Sequence, residues 1–332
     1  MKETRNHHRN LILGTILLLI AGGLSTVDCA ETPDGASLRT CLDQEIALAE
    51  SRSATTRYYF METVFTHFEE DGSRTPGIVL KLWLEAHPEA GKGLTPSYRY
   101  VCRKFTLTRP GKKEAELPTL GNWTYSFSPI ESGIDSKGQV FGIPHSKFAL
   151  LVDSRGSLVD PGNSYLVYNN FIDFHGLNDV FAVHTSKQTG GLQDLNKIGD
   201  SIIHGAANTI VPVGLGEAMK KGSVFRNGEV TLDFKGLSMV DGLPCALLGY
   251  DSGDSSYLMY LTPMAGMEAT VEGASHYFGD LYVELGSGWL RKGTLHEFVV
   301  SQATSGKGQP SRSVIERTIR LETRSKDDFD RL

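Results

Sequence analysis

HYFGDLYVELGSGWLRKGTLHEFVV, residues 276–300, decides the fold. Two runs rich in β-branched and aromatic residues flank Gly286-Ser287-Gly288, three small residues suited to a tight hairpin turn. Side chains alternate across a strand, so Tyr277, Leu281, Val283 and Leu285 fall close to one face and Asp280, Tyr282 and Glu284 on the other. Upstream, Val230, Leu232 and Phe234 alternate, Asp241-Gly242 breaks the run, and 245–250 (CALLGY) and 257–262 (YLMYLT) follow. Downstream, 313–323 (SVIERTIRLET) closes the series. Connections this short predict antiparallel neighbours in chain order, because parallel strands need crossover segments.

The same period recurs near the N-terminus. Residues 57–69, 77–86 and 98–108 read as strands of a first meander, with Asp71-Gly72 as a turn. Leu38, Leu42, Ile46 and Ala49 are spaced for a short amphipathic helix over 37–50. Mid-chain, Tyr165, Tyr168, Ile172 and His175 repeat at helical spacing, as do Leu192, Leu195, Ile198 and Ile202. The expected fold is α+β and strand-rich. Two antiparallel meanders (30–142 and 222–323) form a curved sheet or open half-barrel, with a mainly helical insertion over 143–221 and the short N-terminal helix. Residues 324–332 are charged and expected to fray. Residues 30–323 amount to one domain or two by size.

Residues 1–29 have the pattern of a secretory signal peptide. Lys2, Arg5 and Arg9 precede an apolar run from Leu11 to Ala21, and small residues lead to a cut after Cys29. The run is about half the roughly 20 residues that a membrane span requires, so no stable anchor is expected after cleavage. The segment takes three basic and two acidic residues with it, which moves the net charge from −6 to −7. Mild acidity without clustered Lys and Arg argues against nucleic acid and anionic membrane as partners. Cys41, Cys102 and Cys245 stay in the mature chain. In an oxidising compartment two should pair, and Cys41–Cys102 is the preferred bridge, with Cys245 reduced and buried.

Several constellations bear on chemistry. Asp251-Ser252-Gly253 matches the aspartic-protease tripeptide, but it occurs once and the flanking residues are wrong, so a strand-connecting turn is the simpler reading. Asp173 and His175, with Asn178, Asp179 and His184 nearby, carry ligand chemistry, yet two residues apart on a helix Asp173 and His175 point about 200° apart. Ser275, His276 and Asp280 hold a hydrolase's residue types. On one strand, however, His276 and Asp280 lie roughly 13 Å apart, too far for a dyad. His296-Glu297 lacks the second histidine of a zinc-protease helix. Gly214-Leu215-Gly216 has no following Lys-Ser/Thr for a phosphate loop. No catalytic residue, metal site or cofactor is therefore expected. The stripe Tyr277, Leu281, Val283 and Leu285 lines either a filled core or, in an open curved sheet, a cavity for an apolar ligand.

The order helix, meander, helical insertion and second meander behind a signal peptide is similar to the half-barrel carriers that shuttle lipoproteins or lipids across the periplasm. The resemblance covers residues 37–323 as topology and implies a bent antiparallel sheet with mid-chain helices as a lid over an apolar cavity. The run Lys235-Gly236-Leu237 to Asp241-Gly242-Leu243-Pro244-Cys245 also resembles uncharacterised exported bacterial proteins, which names no activity. The expected function is a binding or carrier protein for a small hydrophobic ligand or lipid. An extracytoplasmic hydrolase using Asp251, His276 or Asp173 and a structural or surface-interaction module are the alternatives.

Overall fold

The computed structural model describes residues 42–89, 97–127, 148, 150–184, 190–213, 219–264, 267–306 and 309–332. The first meander comprises β1 (Arg57–Phe68), β2 (Arg74–Glu89), β3 (Ser97–Thr108), β4 (Ala115–Glu116) and β5 (Trp123–Phe127). Helix α1 (Pro161–His175) follows and runs on into a π-helical turn, Gly176–Phe181. Three short strands come next: β6 (Ser201–Ile203), β7 (Ile210–Pro212) and β8 (Val224–Arg226). The second meander is β9 (Thr231–Val240), β10 (Leu243–Asp251), β11 (Ser255–Met264), β12 (Met267–Glu284), β13 (Leu290–Ser305) and β14 (Ser311–Thr323), and α2 (Lys326–Asp330) ends the chain.

All of these strands belong to one antiparallel, open sheet. Its main order is β4-β3-β2-β1-β14-β13-β12-β10-β9-β6, with β5 beside β3 and the chain β11-β8-β7 branching from β12. The two meanders join where β1 pairs β14, from Tyr59 opposite Thr323 to Phe68 opposite Val314. The hairpin at Gly286-Ser287-Gly288 forms as expected, but a bulge between Tyr282 and Val283 sets Val283 opposite Leu290, one residue from the regular register.

One face of the sheet is inner. Tyr59, Met61, Leu82, Leu281, Val283 and Ile319 are buried there against Val167, Phe171, Phe174 and Leu177 of α1 and its π turn, in one core spanning both meanders. Burying such apolar surface at ~25 cal/mol per Å² is the main favourable term in the fold.

Four sequence expectations change. Residues 44–50 are not helical: the Ile46 amide bonds the Asn196 carbonyl at 2.8 Å and Leu48 sinks into the core, so tertiary contacts override the spacing (37–41 lie outside the described residues). Of the mid-chain helical pattern only α1 and its π turn are long among the described residues. Leu192–Asp194 is a single 3₁₀ turn, and Ile202 lies in β6, paired to Leu232. Residues 326–330 are helical: Ser325 and Asp328 form a reciprocal cap, and Phe329 is buried with its ring 5.2 Å from that of Tyr58.

The fourth change concerns Asp251-Ser252-Gly253. It joins two collinear strands instead of turning a hairpin. Asp251 lies opposite Phe278 and Ser255 opposite Ser275, so β10 and β11 share the long β12 in tandem and are not chain-order neighbours. Gly253 takes φ +57°, which favours glycine, and there the Glu229 amide would stand 3.0 Å from any Cβ. The breaks between β10 and β11 and between β8 and β9 meet here, as the Gly228 amide donates to Ser255 Oγ at 3.0 Å.

Candidate functional site

Helix α1 begins where Asp160 accepts the Asn163 amide at 2.9 Å and Pro161 occupies the first turn. Its apolar face seats it on the sheet, yet its buried side also carries Asn170, His175, Asn178 and Asp179, each no more than 1% exposed. Each of the four bonds another side chain. The insertion that creates the π turn begins directly after His175, and such turns recur at functional sites.

At the π turn the polar groups form a buried cluster in which only Arg52 Nε and Asn178 Oδ1, among its described side-chain atoms, lack a partner. His175 Nδ1 is 2.6 Å from Asp179 Oδ2, one helical turn on. With that nitrogen donating, Nε2 of the neutral ring accepts the Tyr125 hydroxyl at 2.8 Å. The Tyr100 hydroxyl spans both Asp179 oxygens at 2.9 and 2.8 Å. Arg52 Nη1 donates to Asp179 Oδ1 at 2.6 Å and Nη2 to the Asn178 carbonyl, while its guanidinium lies 4.4 Å from the Trp289 ring. The His175 ring stacks on Phe127 at 4.0 Å.

The electrostatics make this cluster a tie. Burial alone would raise the Asp179 carboxyl, but Arg52 and the His175 hydrogen bond hold it below its usual value. Burial lowers His175 despite Asp179 beside it, so the imidazole is neutral. The order Tyr125–His175–Asp179 has the form of a nucleophile–base–orienter relay. Burial raises the Tyr125 phenol well above 10 and His175 and Asp179 are fully buried, so the arrangement reads as a structural tie.

A second cluster ties α1 to the middle of the sheet. Arg317 on β14 donates through Nε to Glu297 Oε2 at 2.6 Å and through Nη1 to Asp173. Ser275 Oγ donates to the other Glu297 oxygen at 2.5 Å. Two carboxylates thus share one guanidinium, with the three side chains 10–12% exposed. Burial and, less strongly, the nearby Glu297 push the Asp173 carboxyl up to about 6 against the pull of Arg317. A smaller tie runs from Thr63 Oγ1 to Asn170 Oδ1 at 2.5 Å.

Beyond that second cluster the inner face is less deeply buried, with Tyr165 of α1 lying near Asp173, Arg317, Glu297 and Tyr257. Register places Phe65 beside Arg317, Val299 beside Ser275 and Ile315, and Tyr257 and Met259 opposite Gly273 and Val271. Phe65, Tyr257, Met259, Val271, Val299 and Ile315 are all only half-buried, and of these Phe65 alone packs against the core. They form an apolar strip whose one end is the Asp173–Arg317–Glu297 cluster.

The candidates read from the sequence fall in separate places. Leu281 and Val283 are core residues, with Tyr277 and Leu285 packed at its margin. Ser275 points to the inner face, whereas His276 and Asp280 point outward to Asp251 (3.2 Å) and Lys235 (2.8 Å), so that trio is never assembled. Ser252 is buried and receives the Tyr277 amide at 2.8 Å. His296 stacks on Phe278 on the outer face. His184 is half-buried with Nε2 unpartnered, away from His175. Cys102 and Cys245 are free buried thiols; Cys41, like residues 1–29 and Gly214-Leu215-Gly216, lies outside the described residues. A recess of about 450 Å³ opens on the outer face between Phe60, Glu62, Lys292, Arg320 and Glu322, with mixed charge. Among the described residues no group of three or more His, Cys, Asp or Glu is placed to hold a metal, and no helix is long and apolar enough to cross a membrane.

Sequence reading missed Arg52, Tyr100, Tyr125 and Arg317. Two signals were available: His175 and Asp179 at i,i+4, and Arg317 occupying an inward position in the alternation with Ile319 and Leu321. Compared with known proteins, the sequence matches no family model and no curated protein.

Proposed function

We propose that this protein is a binding or carrier protein for a hydrophobic ligand, acting outside the cytoplasm after residues 1–29 are removed. In this reading the sheet is an open half-barrel, α1 with its π turn fills one part of the inner face, and the neighbouring apolar strip takes the ligand. The observation that carries it is the strip itself: six apolar side chains, each only partly buried, on the face of the sheet that elsewhere forms the core, with Phe65 at its junction with that core. Apolar side chains gathered on one face and left partly exposed mark an interaction or ligand site.

The filled core beneath α1 favours a second reading, a structural or surface-interaction module with no small ligand. Native mass spectrometry of protein purified from its own host separates the two. The carrier reading expects a co-purifying lipid-sized species released by organic solvent. Bare protein that also fails to bind any alkyl chain leaves the module.

A further inference from the structure

We infer that the ligand of this strip is a single-chain amphiphile with a cationic amine head, its chain along Val299 and Ile315 and its head at Asp173 and Glu297. This rests on the carrier reading and deepens it by naming the ligand class. The strip runs from the Arg317 row of the sheet to the Ser313 row, about 14 Å at the usual strand rise, the reach of a medium alkyl chain. Its far rows carry Ser301, Ser313 and Gly273, and the Tyr257 ring lies over Gly273, so the floor there is smooth and uncharged.

Charge at the near end is unbalanced. Arg317 is the one cation among Asp173, Glu297 and Ser275, and both of its donating edges are engaged. Two carboxylates against one guanidinium leave an excess negative charge beside partly buried apolar side chains. An ammonium brought to that point gains in a partly desolvated site what it would not gain in water, and a carboxylate head would meet repulsion. Asp173 is also the cluster's link to α1, so the head would sit where the helix is tied. Burial first, and the neighbouring Glu297 after it, raise the Asp173 carboxyl against the pull of Arg317.

The test is calorimetric titration of the full chain with dodecylammonium and with dodecanoate, each below its micelle concentration, at pH 7.5. The native protein should bind dodecylammonium about tenfold tighter or more. Asp173→Asn and, separately, Glu297→Gln each remove one carboxylate and should bring the ratio towards one. A preference arising only from the overall acidity would survive, since each change shifts the net charge by one. Glu297→Gln keeps the Asp173–Arg317 pair and covers the case in which Asp173→Asn fails to fold. Val299→Asn should weaken both chains and leave the ratio unchanged. Equal affinities, tighter dodecanoate, or a ratio kept in the folded variants overturns the head-group assignment alone. If neither amphiphile binds, the carrier reading falls with it.

Discussion

At the scale of single residues the two buried clusters behave oppositely with pH. Asp173 titrates near 6 in the fold and near 3.8 when unfolded, so the native state holds the proton more tightly. Ionised Asp173 therefore costs stability above about pH 6, and that cost is relieved as pH falls from 6 towards 4, by up to about 3 kcal/mol. Melting temperatures measured from pH 7 to 4 should fall less, or rise more, for the native protein than for Asp173→Asn; parallel curves would count against the assignment. Asp179 is lowered in the fold, so its contribution is present above its unfolded value and lost as pH falls further. Arg52→Ala should cost about 3–5 kcal/mol in denaturant unfolding, because it strands a fully buried carboxylate. A loss under about 1 kcal/mol would mean that Tyr100 and His175 suffice without the guanidinium.

At the scale of elements, strand existence was legible because alternation is a local property of sequence. What alternation could not convey is which strands pair. Asp251, Ser252, Gly253 and Asp254 have the same turn chemistry whether the chain reverses or merely breaks, and only the 18-residue length of β12 settles it. Over 44–50 the expected helix gives way for the complementary reason, since spacing alone does not outweigh a carbonyl and a core site waiting for Ile46 and Leu48. Two consequences follow for the hairpin of β12 and β13. Val283→Asp places a carboxylate in a site 2% exposed and should cost several kcal/mol. Glu284→Lys faces outward but loses the Arg57 partner at 3.3 Å and puts like charges together, for a cost of about 1 kcal/mol. Equal melting temperatures for the two variants would place Val283 on the wrong face. At the C-terminus, Ser325→Ala should lower stability by about 1 kcal/mol through the lost cap. No change would mean that α2 is held by Phe329 alone.

At the scale of the molecule, the open antiparallel sheet with its helix was within reach of the sequence, while the site was only partly so. The proposed cavity stripe Tyr277, Leu281, Val283 and Leu285 packs with the core because α1 covers it, and periodicity cannot distinguish a filled face from an empty one. The strip beyond Arg317 looks the same in sequence as the core strands it continues. A rival apolar patch exists on the outer face, where Phe278, Phe298 and Val300 are 37%, 42% and 53% exposed beside His276 and His296. The most direct measurement is photo-crosslinking with a dodecyl amine bearing a diazirine near its chain terminus, followed by peptide mapping of the labelled protein. Ligand binding on the inner strip predicts saturable labelling of Tyr257, Met259, Val299, Ser301, Ser313 and Ile315, competed by unlabelled dodecylammonium. Labelling localised to His276, Phe278, Phe298 and Val300 of the outer face, or labelling without saturation, would contradict it.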